Sequence, residues 1–488
     1  MRPIAAASAL ALLLVAAAAA AAPRGARAGP DSAAAIVRSW PAGTEILHFE
    51  NLEGAILVTA SLRGANGRDT TGLFVLDTGA GFLALDHGLA RALGLVDGAA
   101  DSGVVGLAAR PVPRFTLGGM QLDQVSPVLT VDAGVIRRVT DRPVLGLIGK
   151  SVLADRVLWL DYRAGIGALV PAIGSTRTHA GEADPDSARA GSAGADSAPT
   201  DDADAGGVPA EGARAGDIGE GGARAGGARS AGPGPARPGF LSARAVSVPV
   251  RLAGDGKVLV RARASDPRPP HFGRALTLIL DTGATKSVFF ENALATRVPR
   301  ARSWRSLRGL TAPTLIGTSA AWMVRVPELQ VEGSGGPVRV LGMDAAVIRS
   351  ELETMLSQAV GEPVHGLLGY SFLKGYRVAL DYPGHMLWLD PVRGGSDERP
   401  YEYSHVGVQL ERVAGAACVV AVAEGSPAAR AGVASGDLVV AIDGEPAAAF
   451  DLVTLARRLE GPPGSRVTLT VRRGSHERIC RLARRRLL

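Results

Sequence analysis

The chain is short of aromatic residues and nearly devoid of cysteine: of 488 residues, 4% are Phe, Trp or Tyr and two are Cys. Cys418 and Cys480 are either a disulfide pair or apolar strand positions that happen to carry sulfur, and the sequence leaves both open. The eight histidines are scattered, with no HxxxH and no CxxC, so the usual zinc spacings are missing and no metal or cofactor is expected. Long apolar runs are absent after residue 22, which leaves no later segment to cross a membrane. A formal charge of +6 and a pI near 9.7 come from dispersed Arg, with one short cluster at Arg484-Arg485-Arg486. That is not the basic footprint of a nucleic-acid binder.

Large side chains are also missing from a long internal stretch. Between Gly174 and Gly239 there is no Leu, Phe, Tyr or Trp, and Val208 and Ile218 are the only large aliphatics. Such a segment buries too little to offset its ordering entropy, so 173–239 is expected to be a disordered Ala/Gly-rich linker. As a flexible coil of about 65 residues it spans roughly 45 Å. The N-terminus is apolar from Ile4 to Ala22 apart from Ser8, follows Arg2, and leads to a small-x-small site at Ala26-Arg27-Ala28. Residues 1–28 read as a signal peptide, with an uncleaved, Ala-rich and therefore weak anchor as the alternative, so the chain is expected to be exported, periplasmic or secreted.

What is present is a repeat. Asp77-Thr78-Gly79 follows Phe74-Val75-Leu76, and Asp281-Thr282-Gly283 follows Leu278-Ile279-Leu280. Further landmarks recur in order: Val131–Arg137 with Met343–Arg349, then Pro143–Gly149 with Pro363–Gly369, then Leu-Asp-Tyr at Asp161-Tyr162 and Asp381-Tyr382. Two duplicated β-rich lobes are expected, at 29–172 and 240–398, with a helical stretch after each Pro-Val-x-Gly-Leu-x-Gly. If the lobes meet about a pseudo-twofold axis, the two Asp face each other, share one proton and titrate together. Such a pair activates a water while protonating the group under attack.

On these motifs, residues 44–165 and 245–392 each resemble a retropepsin-like aspartic protease domain. The resemblance implies a mainly β fold of two β-barrel lobes forming an intrachain pseudo-dimer, with lobes dimerising between chains as the other assembly. It implies Asp77 and Asp281 as the catalytic pair, and Thr78 and Thr282 as a hydrogen-bonded grip. Gly79 and Gly283 complete the turns, and Gly149 and Gly369 lie under the active-site loops. Polypeptides are the implied substrates. The chain departs from pepsin-like members: Ala80 and Ala284 follow the triplets where a hydroxyl is usual, Gly81 faces Thr285 in the other copy, and no flap tyrosine is present. Fewer donors to the carboxylates predict activity at mildly acidic to neutral pH. Flap candidates are Asp101 to Ala109 and Ser306 to Thr318.

The last unit, 399–488, carries Gly-Ser-Pro-Ala-x-x-Ala-Gly-Val from Gly425 and Gly-Asp-x-Val-x-x-Ile-Asp-Gly from Gly436. It resembles an α/β PDZ domain. The resemblance implies a bound peptide or C-terminus, a carboxylate loop at His405-Val406-Gly407-Val408, and a groove helix from Leu452 to Leu459. The competing functions are an endopeptidase and a catalytically silent protease-like scaffold that acts as a PDZ adaptor.

Overall fold

The computed structural model describes residues 40–96, 108–172, 237–265, 272–392 and 399–488. The expected signal peptide and most of the expected linker lie outside these residues. So does the first flap candidate, apart from a two-residue strand, Ala108–Ala109, paired with Val128 and Leu129. Among the described residues no helix is long and apolar enough to cross a membrane.

Short strands rich in Val, Ile and Leu dominate, bounded by Gly- and Asp-containing turns. In the first lobe Ala55–Arg63 pairs antiparallel with Asp69–Leu76. The latter runs parallel to Val144–Ile148, which lies antiparallel to Leu83–Asp86. The second lobe repeats this: Lys257–Ala264 against Leu276–Leu280, which is parallel to Gly366–Leu368, itself antiparallel to Ser287–Phe290. In both, a central strand threads between the two strands that flank the Asp-Thr-Gly turn. One-turn helices, Lys150–Leu153 and Tyr370–Leu373, follow the last glycine of each motif.

One sequence match is out of register. Ser287–Phe290 pairs in parallel with Ala345–Ile348, whereas its counterpart Leu83–Asp86 pairs with Val128–Val131. Val131 is therefore the counterpart of Ile348, not of Met343. The shared Asp-Ala-x-Val-Ile-Arg is a coincidence of two chemistries. The Asp132 carboxylate accepts the Gly134 N–H at the start of the helix Gly134–Thr140. Asp344 instead sits within the strand Val338–Arg349, buried beside Lys286.

The Leu-Asp-Tyr repeats join the lobes. Arg156–Asp161 and Tyr376–Asp381 pair antiparallel at the centre of a sheet completed by Ile166–Pro171, Met386–Pro391, Val246–Pro249 and the start of Glu45–Leu52. Trp40, Trp159 and Trp388, three of the chain's five tryptophans, cluster on it with Phe240. Most of the chain's tryptophan area is thus buried where the two lobes join.

The C-terminal unit has its own core around Val406, Val419, Ile442, Leu455 and Leu469. Its five main strands run in the order Val408–Val413, Ala416–Val422, Leu438–Ile442, Arg466–Arg473, His476–Ala483. Ser426 caps the helix Pro427–Arg430, with Pro at the first helical position where its missing N–H costs nothing. Asp451 caps Leu452–Leu459 through the Thr454 N–H. Asp437 is held by Arg473 and by the Ala434 N–H, which accounts for the Gly-Asp signature. Cys418 and Cys480 are unbridged.

Candidate functional site

The two Asp-Thr-Gly turns meet at the lobe interface. The Thr78 hydroxyl donates to Leu280 O at 2.9 Å and accepts the Thr282 N–H at 3.1 Å. Reciprocally, the Thr282 hydroxyl donates to Leu76 O at 2.8 Å and accepts the Thr78 N–H at 3.1 Å. These four bonds form a closed, symmetric grip within one chain. Each hydroxyl works as donor and acceptor at once, and this is why the position calls for Thr.

Within each turn the inner carboxylate oxygen is tied to its own loop. Asp77 Oδ1 accepts the Gly79 N–H, and Asp281 Oδ1 accepts the Gly283 and Ala284 N–H groups, all within 2.8–2.9 Å. Backbone donors thus do part of what the missing hydroxyls would do. No donor among the described residues reaches the outer oxygens, Asp77 Oδ2 and Asp281 Oδ2, and both are buried. The two carboxyl groups instead face each other, close enough to hydrogen-bond through a shared proton. Burial pushes Asp77 above the ordinary carboxylate range, against the pull of Asp281, the Gly79 N–H and the Lys257 ammonium. Burial and then the adjacent Asp77 charge push Asp281 much higher. Both carboxyls are thus pushed up together, and such a pair holds one proton between its two members and titrates as a unit.

The glycines are there because other atoms crowd them. A Cβ on Gly149 would lie 2.4 Å from Ala80 O and 2.5 Å from Phe82 O, and one on Gly369 2.5 Å from Lys286 O. Both loops rest directly on these glycines. The inequality of Gly81 and Thr285 also has a cause: a Cβ on Gly81 would lie 2.7 Å from the Asp255 carboxyl, reaching over from the second lobe.

Several residues near the pair carried no obvious signal in the sequence. Lys257 is wholly buried and ion-paired to Asp255 at 2.5 Å. Strand pairing makes Ala55 its counterpart in the first lobe, so the pair has a cation on one side only. Gly-Asp-Gly-Lys reads as a solvated turn, and nothing local marks it as buried. Tyr162 and Tyr382 sit beneath the site, with hydroxyls whose ionisation is resisted by burial and by Asp281 and Asp77 respectively. Their signal existed, in the duplicated Leu-Asp-Tyr.

Beside the second turn a buried charge network joins three parts of the chain. Lys286 pairs with Asp344 at 2.8 Å and with Glu402, while Arg399 contacts Glu53 and Glu460. Tyr403 donates to Asp344 at 2.5 Å. Burial opposes ionisation of Asp344, yet the Lys286 ammonium holds it below the usual range. At Glu53 burial outweighs Arg399 and pushes the carboxyl up to about 7. Among the described residues no group of three or more His, Cys, Asp and Glu side chains converges on a metal position.

In the C-terminal unit the four loop residues lie at the start of the strand Val408–Val413, opposite the helix Leu452–Leu459. The loop differs from expectation in one respect. The Gly407 N–H is donated to His405 Nδ1 at 3.0 Å instead of pointing into a carboxylate site. Burial depresses His405 to about 4, so the ring stays neutral and able to accept this bond.

Residues 271–372 match a family model described as aspartyl protease, and residues 418–473 match one described as PDZ domain. The chain carries an aspartyl protease domain and a PDZ domain. The first lobe, outside the matched residues, has the same strand–turn–strand arrangement around Asp77. A curated relative, the chloroplastic carboxyl-terminal-processing peptidase 2 of Arabidopsis thaliana, is 38% identical over 69 residues, which are 14% of this chain and 13% of that protein. Among solved structures, the photosystem II D1 C-terminal processing protease is 26% identical over 17% of this chain and 24% of its own, with a TM-score of 0.17. An aspartic proteinase from Irpex lacteus covers 73% of this chain and 99% of its own at 10% identity, with a TM-score of 0.36.

Proposed function

We propose that the chain is an exported aspartic endopeptidase whose single active site is the Asp77–Asp281 pair. The observation that carries this reading is the pair itself: two buried carboxyls face each other, with outer oxygens that no donor among the described residues satisfies. Such oxygens suit a water held between them. The ionised member of the pair takes a proton from that water as its oxygen attacks the peptide carbonyl. The protonated member gives its proton to the carbonyl oxygen, and the resulting tetrahedral diol collapses with proton transfer to the leaving amine. No acyl-enzyme forms. Lys257 favours the charge on Asp77, and the threonine grip fixes the separation on which proton sharing depends. The PDZ domain recruits an extended polypeptide, and the N-terminal apolar segment directs export.

The purified chain is expected to cleave an unfolded polypeptide, and a statine-type inhibitor, whose hydroxyl replaces the bridging water, is expected to block it. Cleavage that survives this inhibitor but yields to a serine-directed acylating reagent would reject the proposal.

A further inference from the structure

Elements of both lobes pack against the PDZ domain. Among the described residues the strand Val408–Val413 ends its sheet and pairs with Ala416–Val422 alone, so its other edge has no backbone partner. Yet its first four residues are buried. Val408 and Leu410 point into the domain's own core, while Gln409 and Glu411 meet the second and the first lobe respectively. The helix Gly134–Thr140 places Ile136 and Val139 in one apolar cluster with Val453 of the groove helix. At its end, the Asp141 carboxylate takes a two-pronged bond from Arg412, at 3.1 and 2.6 Å, and the Leu452 N–H at 3.2 Å. Arg142 reaches Asp451 at 3.3 Å, and Arg138 approaches Glu411 at 3.8 Å.

The same PDZ face also holds the second lobe's hairpin, formed by Ser306–Thr314 and Gly317–Val331. Gln409 bonds both the N–H and the C=O of Thr311, at 3.1 and 3.0 Å, as a neighbouring strand would. Glu424 N–H donates to Arg308 O at 2.9 Å. The tip residue Leu315 is buried in the cluster that contains Leu52, Ile136 and Val453. Its neighbour Ile316 packs on the cluster that contains Ala284, the residue after the second Asp-Thr-Gly, and in this arrangement Asp77 and Asp281 have no solvent exposure.

We propose that the groove is occupied in cis by Ile136–Arg142, and that an extended polypeptide bearing an acidic side chain displaces this segment, frees the Ser306–Val331 hairpin and exposes the catalytic pair. The acidic requirement follows from the contact to be replaced: Arg412 and the Leu452 N–H at the helix start together favour a carboxylate. Either Asp141 or the ligand uses them, so ligand binding and lobe docking exclude one another. The ligand then shifts the closed–open equilibrium by its preference for the open form. The inference rests on the protease reading only for the consequence at the catalytic pair.

The test is hydrogen exchange on the full chain, with Asp141→Asn and Gln409→Ala variants and a ten-residue probe peptide carrying a central Asp or Asn. Asn tolerates the left-handed conformation of residue 141 (φ 55°), so the fold is kept. Asp141→Asn is expected to speed exchange in both 134–140 and 306–331 by about 10-fold or more, and to tighten binding of the Asp peptide by a similar factor. The Asp peptide alone is expected to accelerate exchange at the hairpin of the wild type. Faster exchange at 134–140 with an unchanged hairpin overturns the coupling, and equal binding of the Asn peptide overturns the acidic requirement. Gln409→Ala, outside the Asp141 contact, must loosen the hairpin; if it does not, the pinning is wrong. Faster exchange throughout, with no cleavage by any variant or the wild type, upholds this inference and rejects the protease reading instead.

Discussion

Replacing Thr282 by Val removes a hydroxyl with almost no change of shape. It leaves two buried groups without their partners, Leu76 O and the Thr78 N–H. Each unsatisfied buried backbone group costs about 1–3 kcal/mol, so Thr282→Val is expected to cost about 2–6 kcal/mol. Thr282→Ser keeps the hydroxyl, loses one methyl, and is expected to cost about 1 kcal/mol. Thr78→Val breaks the other two bonds and should match Thr282→Val. The double Val variant should cost less than the sum, because the first loss already loosens the seam the second would break. Urea unfolding at constant m-value measures each difference, and cleavage rate reports the carboxyl separation. If Thr282→Val lies within about 0.5 kcal/mol of Thr282→Ser, the grip is not what holds the turns together.

Three further outcomes follow from the same geometry. Gly149→Ala drives a methyl into the Ala80 and Phe82 carbonyls and is expected to cost about 1–3 kcal/mol, with cleavage falling further than stability; calorimetry beside a rate assay checks both. Because burial raises both carboxyls, and Asp281 the more, the singly protonated pair should persist into mildly acidic and neutral pH; a rate maximum confined to strongly acidic buffer contradicts this. Glu53, raised to about 7 from 4.5, binds its proton more tightly folded than unfolded. Its contribution to stability is full below about pH 4.5 and lost as pH rises through 7, by up to ~3 kcal/mol. Glu53→Gln should flatten the stability profile in that window.

The geometry of the paired Asp-Thr-Gly turns was legible because duplication writes it twice. Asp-Thr-Gly, the supporting glycines and the Leu-Asp-Tyr strands each recur, and pseudo-symmetry turns recurrence into contact. Where the copies differ, the sequence was less informative. Lys257 and Asp255 look like a charged surface turn until the opposite lobe covers them, and burial of that kind is a tertiary fact. The Asp132–Asp344 match misled because similar letters serve a helix start in one lobe and a buried ion pair in the other. In the PDZ domain the resemblance implied the groove helix Leu452–Leu459, and the structure forms it over those residues, capped by Asp451. That Asp141 of the first lobe lies against that helix's N-terminus was not, because the contact spans far too many residues to leave a local pattern.

The central claim is that Asp77 and Asp281 act as one proton-sharing pair. Its most direct test is mass-spectrometric mapping of cleavage sites in an unfolded protein exposed to the wild type, Asp77→Asn and Asp281→Asn. The account predicts a set of cuts made by the wild type and by neither variant, with both variants still folded. Cuts that persist in both single variants would contradict it, and a wild type that makes none would leave the chain as a silent PDZ-bearing scaffold.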